Sequence, residues 1–236
     1  MTIWVVIPAA GTGIRFGAPR PKQYLPLAGR PMLARVLDLF FGSSLIDGVV
    51  VALAANDEEW PQVKPVHPGK PLVTVVGGAS RAESVAAALG AISDQTAGED
   101  WALVHDAARP CLSPADLERL IRELQDDPVG GILATRVVDT LKRADASGLI
   151  AETVARTGLW HAQTPQMFRY GLLRRALADA ISAGVMVTDE AMAMELAGFA
   201  PRLIAAQENN LKVTRAEDLP LAEAVHAARG MIELVP

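Results

Sequence analysis

Pro8-Ala9-Ala10-Gly11-Thr12-Gly13-Ile14-Arg15-Phe16, followed by Pro21-Lys22-Gln23-Tyr24, joins an apolar strand (Ile3 to Ile7) to a loop of small residues and then to two cations. Small side chains let a backbone press against a polyphosphate, with exposed amide hydrogens aimed at its oxygens. Arg15 and Lys22 bring the charge that neutralises what collects when phosphorus is attacked. No Asp or Glu precedes Asp38, whereas Arg15, Arg20, Lys22, Arg30 and Arg35 all fall in that stretch. In a chain of net charge -5 this local bias predicts an anion site. The loop differs from two better-known relatives. Phe16 stands where a Walker A loop carries its second glycine and where a dinucleotide fingerprint carries its third. A Gly-x-Gly after a strand also serves an ordinary tight strand–helix turn. The Arg and the Pro-Lys-Gln that follow favour the anion.

Beyond this loop, short apolar, β-branched runs alternate with helical stretches: Ile3–Ile7, Val49–Leu53, Leu72–Val76, Trp101–Val104 and Gly131–Ala134. Near-continuous hydrophobic strands belong to a parallel sheet covered on both faces. Helix starts are marked by Pro31 at a first helical position, by a capping box at Ser80 to Glu83, and by Ser113-Pro114-Ala115-Asp116 and Thr214-Arg215-Ala216-Glu217. The fold class expected is α/β, a doubly wound, mostly parallel sheet whose ligands lie beyond the carboxyl ends of its strands. The opening loop, Gly77-Gly78 and His105-Asp106 all fall at such ends. Val137 to Ala155 breaks the alternation: turn residues Asp145 to Gly148 separate two arms, Val137–Leu141 and Ile150–Val154. It reads as a hairpin excursion, and such an arm usually packs on something, often a second subunit.

At 236 residues, half of them hydrophobic, the chain can bury a full core without staples. No apolar run reaches membrane-spanning length, and the amino terminus lacks the basic start and cleavage site of a signal peptide. Cys111 is the single cysteine, which excludes a disulfide framework and a cysteine-cluster metal site. A soluble, cytoplasmic protein is the expectation. The acidic balance and few aromatics argue against nucleic-acid binding.

Three further constellations carry chemistry. In Gly77-Gly78-Ala79-Ser80-Arg81-Ala82-Glu83-Ser84-Val85, bare glycines admit a flat nucleobase to main-chain groups, and Ser84 offers a hydroxyl; a glycine turn with an N-cap explains Gly78 and Ser80 equally well, but not Arg81 or Ser84. In Val104-His105-Asp106-Ala107-Ala108-Arg109-Pro110 a carboxylate follows a buried strand. Beside a triphosphate, Asp106 is a natural Mg²⁺ ligand, since that ion commonly takes one or two carboxylates and the substrate's phosphates. His105 and Cys111 read as structural. Lys212, in Asn209-Asn210-Leu211-Lys212-Val213-Thr214, is by itself an ordinary surface lysine. Asp139 to Lys142, Arg156, Gln163 to Gln166 and Thr188-Asp189-Glu190 are polar groups able to gather round a phosphorylated substrate, although Thr188 also suits the cap of a helix beginning near Asp189.

Taken together, these segments resemble the 2-C-methyl-D-erythritol 4-phosphate cytidylyltransferases, collinearly over nearly the whole chain; Thr164-Pro165-Gln166 and Lys212-Val213-Thr214 complete the six ordered motifs. The resemblance implies a Rossmann-like nucleotidyltransferase fold over residues 1–236, with a dimerisation arm at about 137–156. It implies that CTP and 2-C-methyl-D-erythritol 4-phosphate give 4-diphosphocytidyl-2-C-methyl-D-erythritol and pyrophosphate, in the non-mevalonate isoprenoid route. Arg15 and Lys22 would stabilise the transition state, with Arg156 and Lys212 completing the catalytic set. Pro8, Ala9, Ala10, Gly11, Gly78, Ala79, Ser84 and Asp106 would bind CTP, Asp106 through Mg²⁺. Arg109, Thr140, Arg156, Thr164 and Thr188 would receive the sugar phosphate. The arm would reach a partner's active site, making a homodimer. Ala206, where a glycine is common, departs from the pattern just before Lys212. Three rivals stay open: a ribitol 5-phosphate or other sugar-phosphate nucleotidyltransferase, a non-catalytic nucleotide-binding regulator, and a dinucleotide-dependent oxidoreductase.

Overall fold

The computed structural model describes residues 1–11, 20–63 and 69–232. In chain order the strands are β1 (Ile3–Pro8), β2 (Pro26–Leu27), β3 (Arg30–Pro31), β4 (Gly48–Leu53), β5 (Leu72–Val76), β6 (Trp101–Val104), β7 (Gly130–Arg136), β8 (Leu141–Ala144), β9 (Ile150–Val154), β10 (Trp160–Arg169) and β11 (Arg202–Ala205). The helices are α1 (Met32–Gly42), α2 (Trp60–Val63), α3 (Arg81–Ala91), α4 (Pro114–Leu124), α5 (Tyr170–Ser182), α6 (Glu190–Leu196) and α7 (Asp218–Ile232). Seven strands make the central sheet, in the order β11-β7-β10-β6-β1-β4-β5. Only β10 runs against the others, pairing antiparallel with both β6 and β7.

Both faces of the sheet are covered, and the strand period of two divides each strand between them. Ile3, Val5 and Ile7 of β1 join Val49, Val51 and Leu53 of β4 in one core, beneath α1 and α4. Trp4 and Val6 join Val50, Ala52, Ala102 and Val104 in the other, against α3, α5 and α6. A third, smaller cluster of Leu27, Met32, Ala108, Cys111, Val213 and Ala222 lies behind the rim where the parallel strands end. Cys111 is buried there, and burial pushes its thiol up to about 11, in keeping with a structural role.

The caps at Ser80 and Ser113 form as the sequence implies. Ser80 accepts from the Glu83 amide while Glu83 accepts from the Ser80 amide, and Ser113 accepts from the Asp116 amide with Pro114 following it. Two other starts differ. Pro31 precedes the first helical residue, Met32, because its ψ of 140° is extended. At Thr214 the expected box is absent: the Asp218 carboxylate accepts from the amides of Thr214 and Arg215 and from the Thr214 hydroxyl, so α7 starts at Asp218. The hairpin exists, but its first arm is Leu141–Ala144 rather than Val137–Leu141. Residues 137 to 140 are spent leaving the sheet, where the Val137 amide bonds the Leu159 carbonyl. The Asp145 carboxylate organises the tip by accepting from the Ser147 and Leu149 amides. Among the described residues, no helix is long and apolar enough to cross a membrane.

Gly130, at the start of β7, has φ +123°, and a Cβ there would collide with the Met167 carbonyl oxygen of β10. Gly130→Ala therefore combines backbone strain with overpacking and is expected to cost about 2 kcal/mol or more. Urea unfolding measures it, and a loss under about 0.5 kcal/mol would contradict the β7–β10 packing described.

Candidate active site

Parallel strands deliver their following loops to one edge, and three of those loops meet there. Pro8 ends β1, Gly77 follows β5, and His105-Asp106 follows β6. Because β10 is antiparallel, it brings its amino-terminal half to the same edge and sets Gln166 opposite Val104. A cavity of about 510 Å³ opens between these loops, lined by Pro8, Ala10, Gly11, Lys22, Gln23, Gly78 to Arg81, Ser84, Asp106 to Ala108 and Lys212. A second, of about 160 Å³, adjoins it and is lined by Arg81, Asp106, Arg109, Ala162 to Thr164, Gln166, Thr188, Asp189 and Lys212. Arg81, Asp106 and Lys212 belong to both walls.

The floor of the larger cavity is pinned from behind. Gln23, itself buried, donates from Nε2 to the carbonyls of Ala9 (2.8 Å) and Gly11 (3.2 Å). A Cβ on Gly77 would come within 2.6 Å of the Ala10 Cβ and 2.8 Å of Ser84 Oγ, so the two loops approach this closely only because residue 77 has no side chain. Ser84 Oγ accepts from the Gly78 amide and donates to the Ser80 carbonyl (2.9 Å), tying the glycine turn to α3. Lys22 reaches into the same cavity and donates to the Val213 carbonyl at 3.1 Å.

Asp106 is the hub. Its Oδ1 lies 3.0 Å from Arg81 Nε, and its Oδ2 lies 2.7 Å from Lys212 Nζ and 3.8 Å from Arg109 Nε. Burial disfavours the charged carboxylate, but Arg81, Lys212 and Arg109 outweigh it and hold the pKa well below the usual range. Arg81 is doubly committed, since its fork also grips the buried Glu190 at the start of α6 (Nη1–Oε1 2.6 Å, Nη2–Oε2 2.9 Å). Burial works against the Arg81 charge, and the two carboxylates override it, raising the guanidinium's pKa.

A chain of hydrogen bonds fixes the Asp106 backbone. The Asp106 amide donates to Thr164 Oγ1 at 3.0 Å, and Thr164 Oγ1 lies 3.2 Å from Nδ1 of the fully buried His105. His105 Nε2 faces the Arg109 carbonyl at 3.0 Å, an acceptor only, so Nε2 carries the proton and Nδ1 accepts from Thr164. Asn210 completes the rim: its side chain donates to the Thr164 carbonyl (2.6 Å), and its own carbonyl accepts from Arg109 Nη1 (2.8 Å). The buried Asp116 carboxylate holds the loop ahead of Lys212 by accepting from the Gln207 and Glu208 amides.

The structure thus gathers Pro8, Ala10, Gly11, Lys22, Gly78, Ala79, Ser84, Asp106 and Lys212 round the larger cavity, and Arg109, Thr164 and Thr188 round the smaller one. Ala9 is buried beneath the loop rather than facing the cavity. Thr188 is not the helix cap, a task taken by Asp189. Arg15 lies outside the described residues. Thr140 and Arg156 line neither cavity; both are exposed on the hairpin excursion, where Arg156 donates to the Val138 carbonyl. Gln23 and Asn210 received no role of their own from sequence, and Arg81 was only noted as unexplained by its turn. Glu190, expected among the polar groups round a phosphorylated substrate, lines neither cavity and is buried against Arg81. A single ionised carboxylate, opening onto a cavity sized for a triphosphate, suits a metal that draws its other ligands from phosphate and water. Among the described residues, no cluster of three or more His, Cys, Asp or Glu side chains is arranged to hold one alone.

Fold and rim together define a nucleotidyltransferase-like α/β protein. Residues 3–227 match the family model described as 2-C-methyl-D-erythritol 4-phosphate cytidylyltransferase (IspD). A protein of that name from Pseudomonas putida is 53% identical over 217 residues, covering 92% of each chain. Among solved structures, one described as 4-diphosphocytidyl-2C-methyl-D-erythritol synthase superposes with a TM-score of 0.83 at 38% identity, covering 95% of this chain and 99% of that one. The Francisella tularensis 2-C-methyl-D-erythritol 4-phosphate cytidylyltransferase gives 0.82 at 34%, covering 95% and 100%. The chain belongs to the 2-C-methyl-D-erythritol 4-phosphate cytidylyltransferase family.

Burial pushes the His105 imidazole down to about 4 from 6.5. Between those values the unfolded chain binds a proton that the folded chain refuses. The stabilising effect is therefore full above about pH 6.5 and is lost as pH falls toward 4, in total roughly 3 kcal/mol. Urea midpoints should fall across that window, and the fall should flatten in His105→Gln. An unchanged slope in the variant would show that His105 is not the group responsible.

Proposed function

We propose that the two adjoining cavities hold CTP and 2-C-methyl-D-erythritol 4-phosphate side by side, and that this cytidylyltransferase joins them with release of pyrophosphate. The product is 4-diphosphocytidyl-2-C-methyl-D-erythritol, in the non-mevalonate route to isoprenoid precursors. The observation that carries this reading is the common wall: Arg81, Asp106 and Lys212 face both cavities, so reacting groups on either side meet the same charges.

In the reaction a phosphate oxygen of the acceptor attacks the α-phosphorus of CTP. The bond from that phosphorus to the bridging oxygen breaks, and pyrophosphate leaves with the electron pair. The nucleophile is ionised at neutral pH, so no general base is required, and the rim supplies cations instead. The barrier lies in bringing two anions together in line. Lys22, from the larger cavity, and Lys212, at the boundary, are assigned to the developing negative charge, and Arg15, outside the described residues, is assigned with them. Ala10, Gly11, Gly78, Ala79 and Ser84 form the slot for the nucleotide, small enough to admit a flat base against main chain. Arg109, Thr164 and Thr188 face the acceptor phosphate. When bound, Mg²⁺ at Asp106 would neutralise charge on the triphosphate.

We assign residues 1–236 to one catalytic domain, with the arm at 137–156 as the contact of a cytoplasmic homodimer. Exposed Val138, Leu149 and Ile150 give the arm an apolar surface, and Thr140 and Arg156 stand on it, available to a partner's acceptor cavity.

Lys212→Ala and Lys22→Ala should each lower kcat by roughly 10²- to 10³-fold while circular dichroism stays unchanged. Near-normal turnover at saturating substrates would remove these roles. Product formation with CTP should exceed that with ATP, GTP or UTP, using 2-C-methyl-D-erythritol 4-phosphate as acceptor, with ribitol 5-phosphate assayed in parallel. Ile150→Asp should convert a sedimenting dimer to monomer; a dimer that survives it would take the arm out of the interface.

A further inference from the structure

Glu190 touches neither cavity, yet it is fully buried and takes both Nη atoms of Arg81, while Arg81 Nε alone reaches Asp106. A guanidinium fork prefers a carboxylate that accepts two parallel bonds. Two carboxylates compete for this one: Glu190, from the acceptor side of the rim, and Asp106, at the boundary. The geometry puts the fork on Glu190, so that Arg81 meets Asp106 only through Nε at Oδ1, while Oδ2 meets Lys212. Three neighbouring groups hold the arrangement. Gln166 accepts from the Ala191 amide and donates to Asp189, fixing the start of α6, and the Ser80–Glu83 capping box fixes the start of α3, where Arg81 sits.

We infer that Glu190 is a positioning residue that holds the Arg81 fork off Asp106, so that the divalent cation accompanying the nucleotide competes at Oδ1 with a single Arg81 Nε contact rather than with a bidentate pair. This inference deepens the proposed function and rests on it. Without the Glu190 charge, the freed fork turns onto the carboxylate it already touches and adds a second bond there, beside the Lys212 contact at Oδ2, against which the cation must compete. The brace also links α3, on the nucleotide side, to α6, beside the acceptor cavity.

The test uses the full chain with Mn²⁺ as probe and α,β-methylene-CTP as non-reacting nucleotide, bound Mn²⁺ being read by electron paramagnetic resonance. In Glu190→Gln, Mn²⁺ half-saturation should rise roughly 10-fold or more, as for other losses of support behind a metal ligand. Half-saturating Mg²⁺ in turnover should rise with it, while kcat at high Mg²⁺ recovers. The double variant Arg81→Gln/Glu190→Gln removes the competing fork, and its Mn²⁺ half-saturation should return to or below the wild-type value. A folded Glu190→Gln within twofold of wild type overturns the inference. If that single variant does not fold, the double variant decides, and weaker Mn²⁺ binding than wild type overturns it. A wild-type chain that fails to bind Mn²⁺ with the nucleotide analogue sinks the nucleotide-site reading itself, an outcome separate from the others.

Discussion

A buried, ionised Asp106 held among Arg81, Lys212 and Arg109 is the constraint on which the rim is built. Neither side of this arrangement stands alone. A carboxylate taken from water without partners would be neutralised, and three cations without an anion between them would repel one another. Because the four charges come from three separate segments, their mutual attraction also fixes the shape of the rim. Each cation is anchored elsewhere: Arg81 on Glu190, Arg109 on the Asn210 carbonyl, and Lys212 by a loop that Asp116 ties down.

The antiparallel strand β10 makes this possible. Six parallel strands would bring only their own trailing loops to the edge. By running the other way between β6 and β7, β10 places Thr164 against the Asp106 amide and Gln166 against the start of α6. Thr164 and Gln166 read from sequence as polar groups for a substrate. Both also act as joints, holding respectively the residue and the helix that carry the buried charges.

Strands buried on both faces announce themselves, which is why β1, β4, β6 and the centre of β7 were legible as apolar runs, whereas the half-buried edge strand β5 was legible from its β-branched composition. Strand β10 was not. Its first four residues, Trp160 to Gln163, mix polar and apolar types and are partly exposed, Pro165 interrupts the run, and burial begins only at Thr164. The short β11 has one buried residue and gives little signal. Caps were readable where Ser precedes a helix with a partner three residues on, and misleading at Thr214, where a later aspartate does the capping. At the site, residues that face the ligand were legible because their types match phosphate chemistry. The bracing roles of Gln23, Glu190 and Asn210 were not, because their work is to hold other groups across 14, 109 and 46 residues of chain, and Glu190 was read instead as facing the substrate. Such long pairings leave no local pattern.

The excursion carrying β8 and β9 departs and returns at one point. Arg136 and Trp160 face each other in the last register pair of β7 and β10, and the Arg136 guanidinium lies 4.4 Å from the centre of the Trp160 ring. Whatever is strung between those two residues, the ladder on either side keeps its alignment. The excursion is thus mechanically separate from its own scaffold: what it does it does toward its outward side, and a change within it leaves Thr164 beside Asp106 in the same chain.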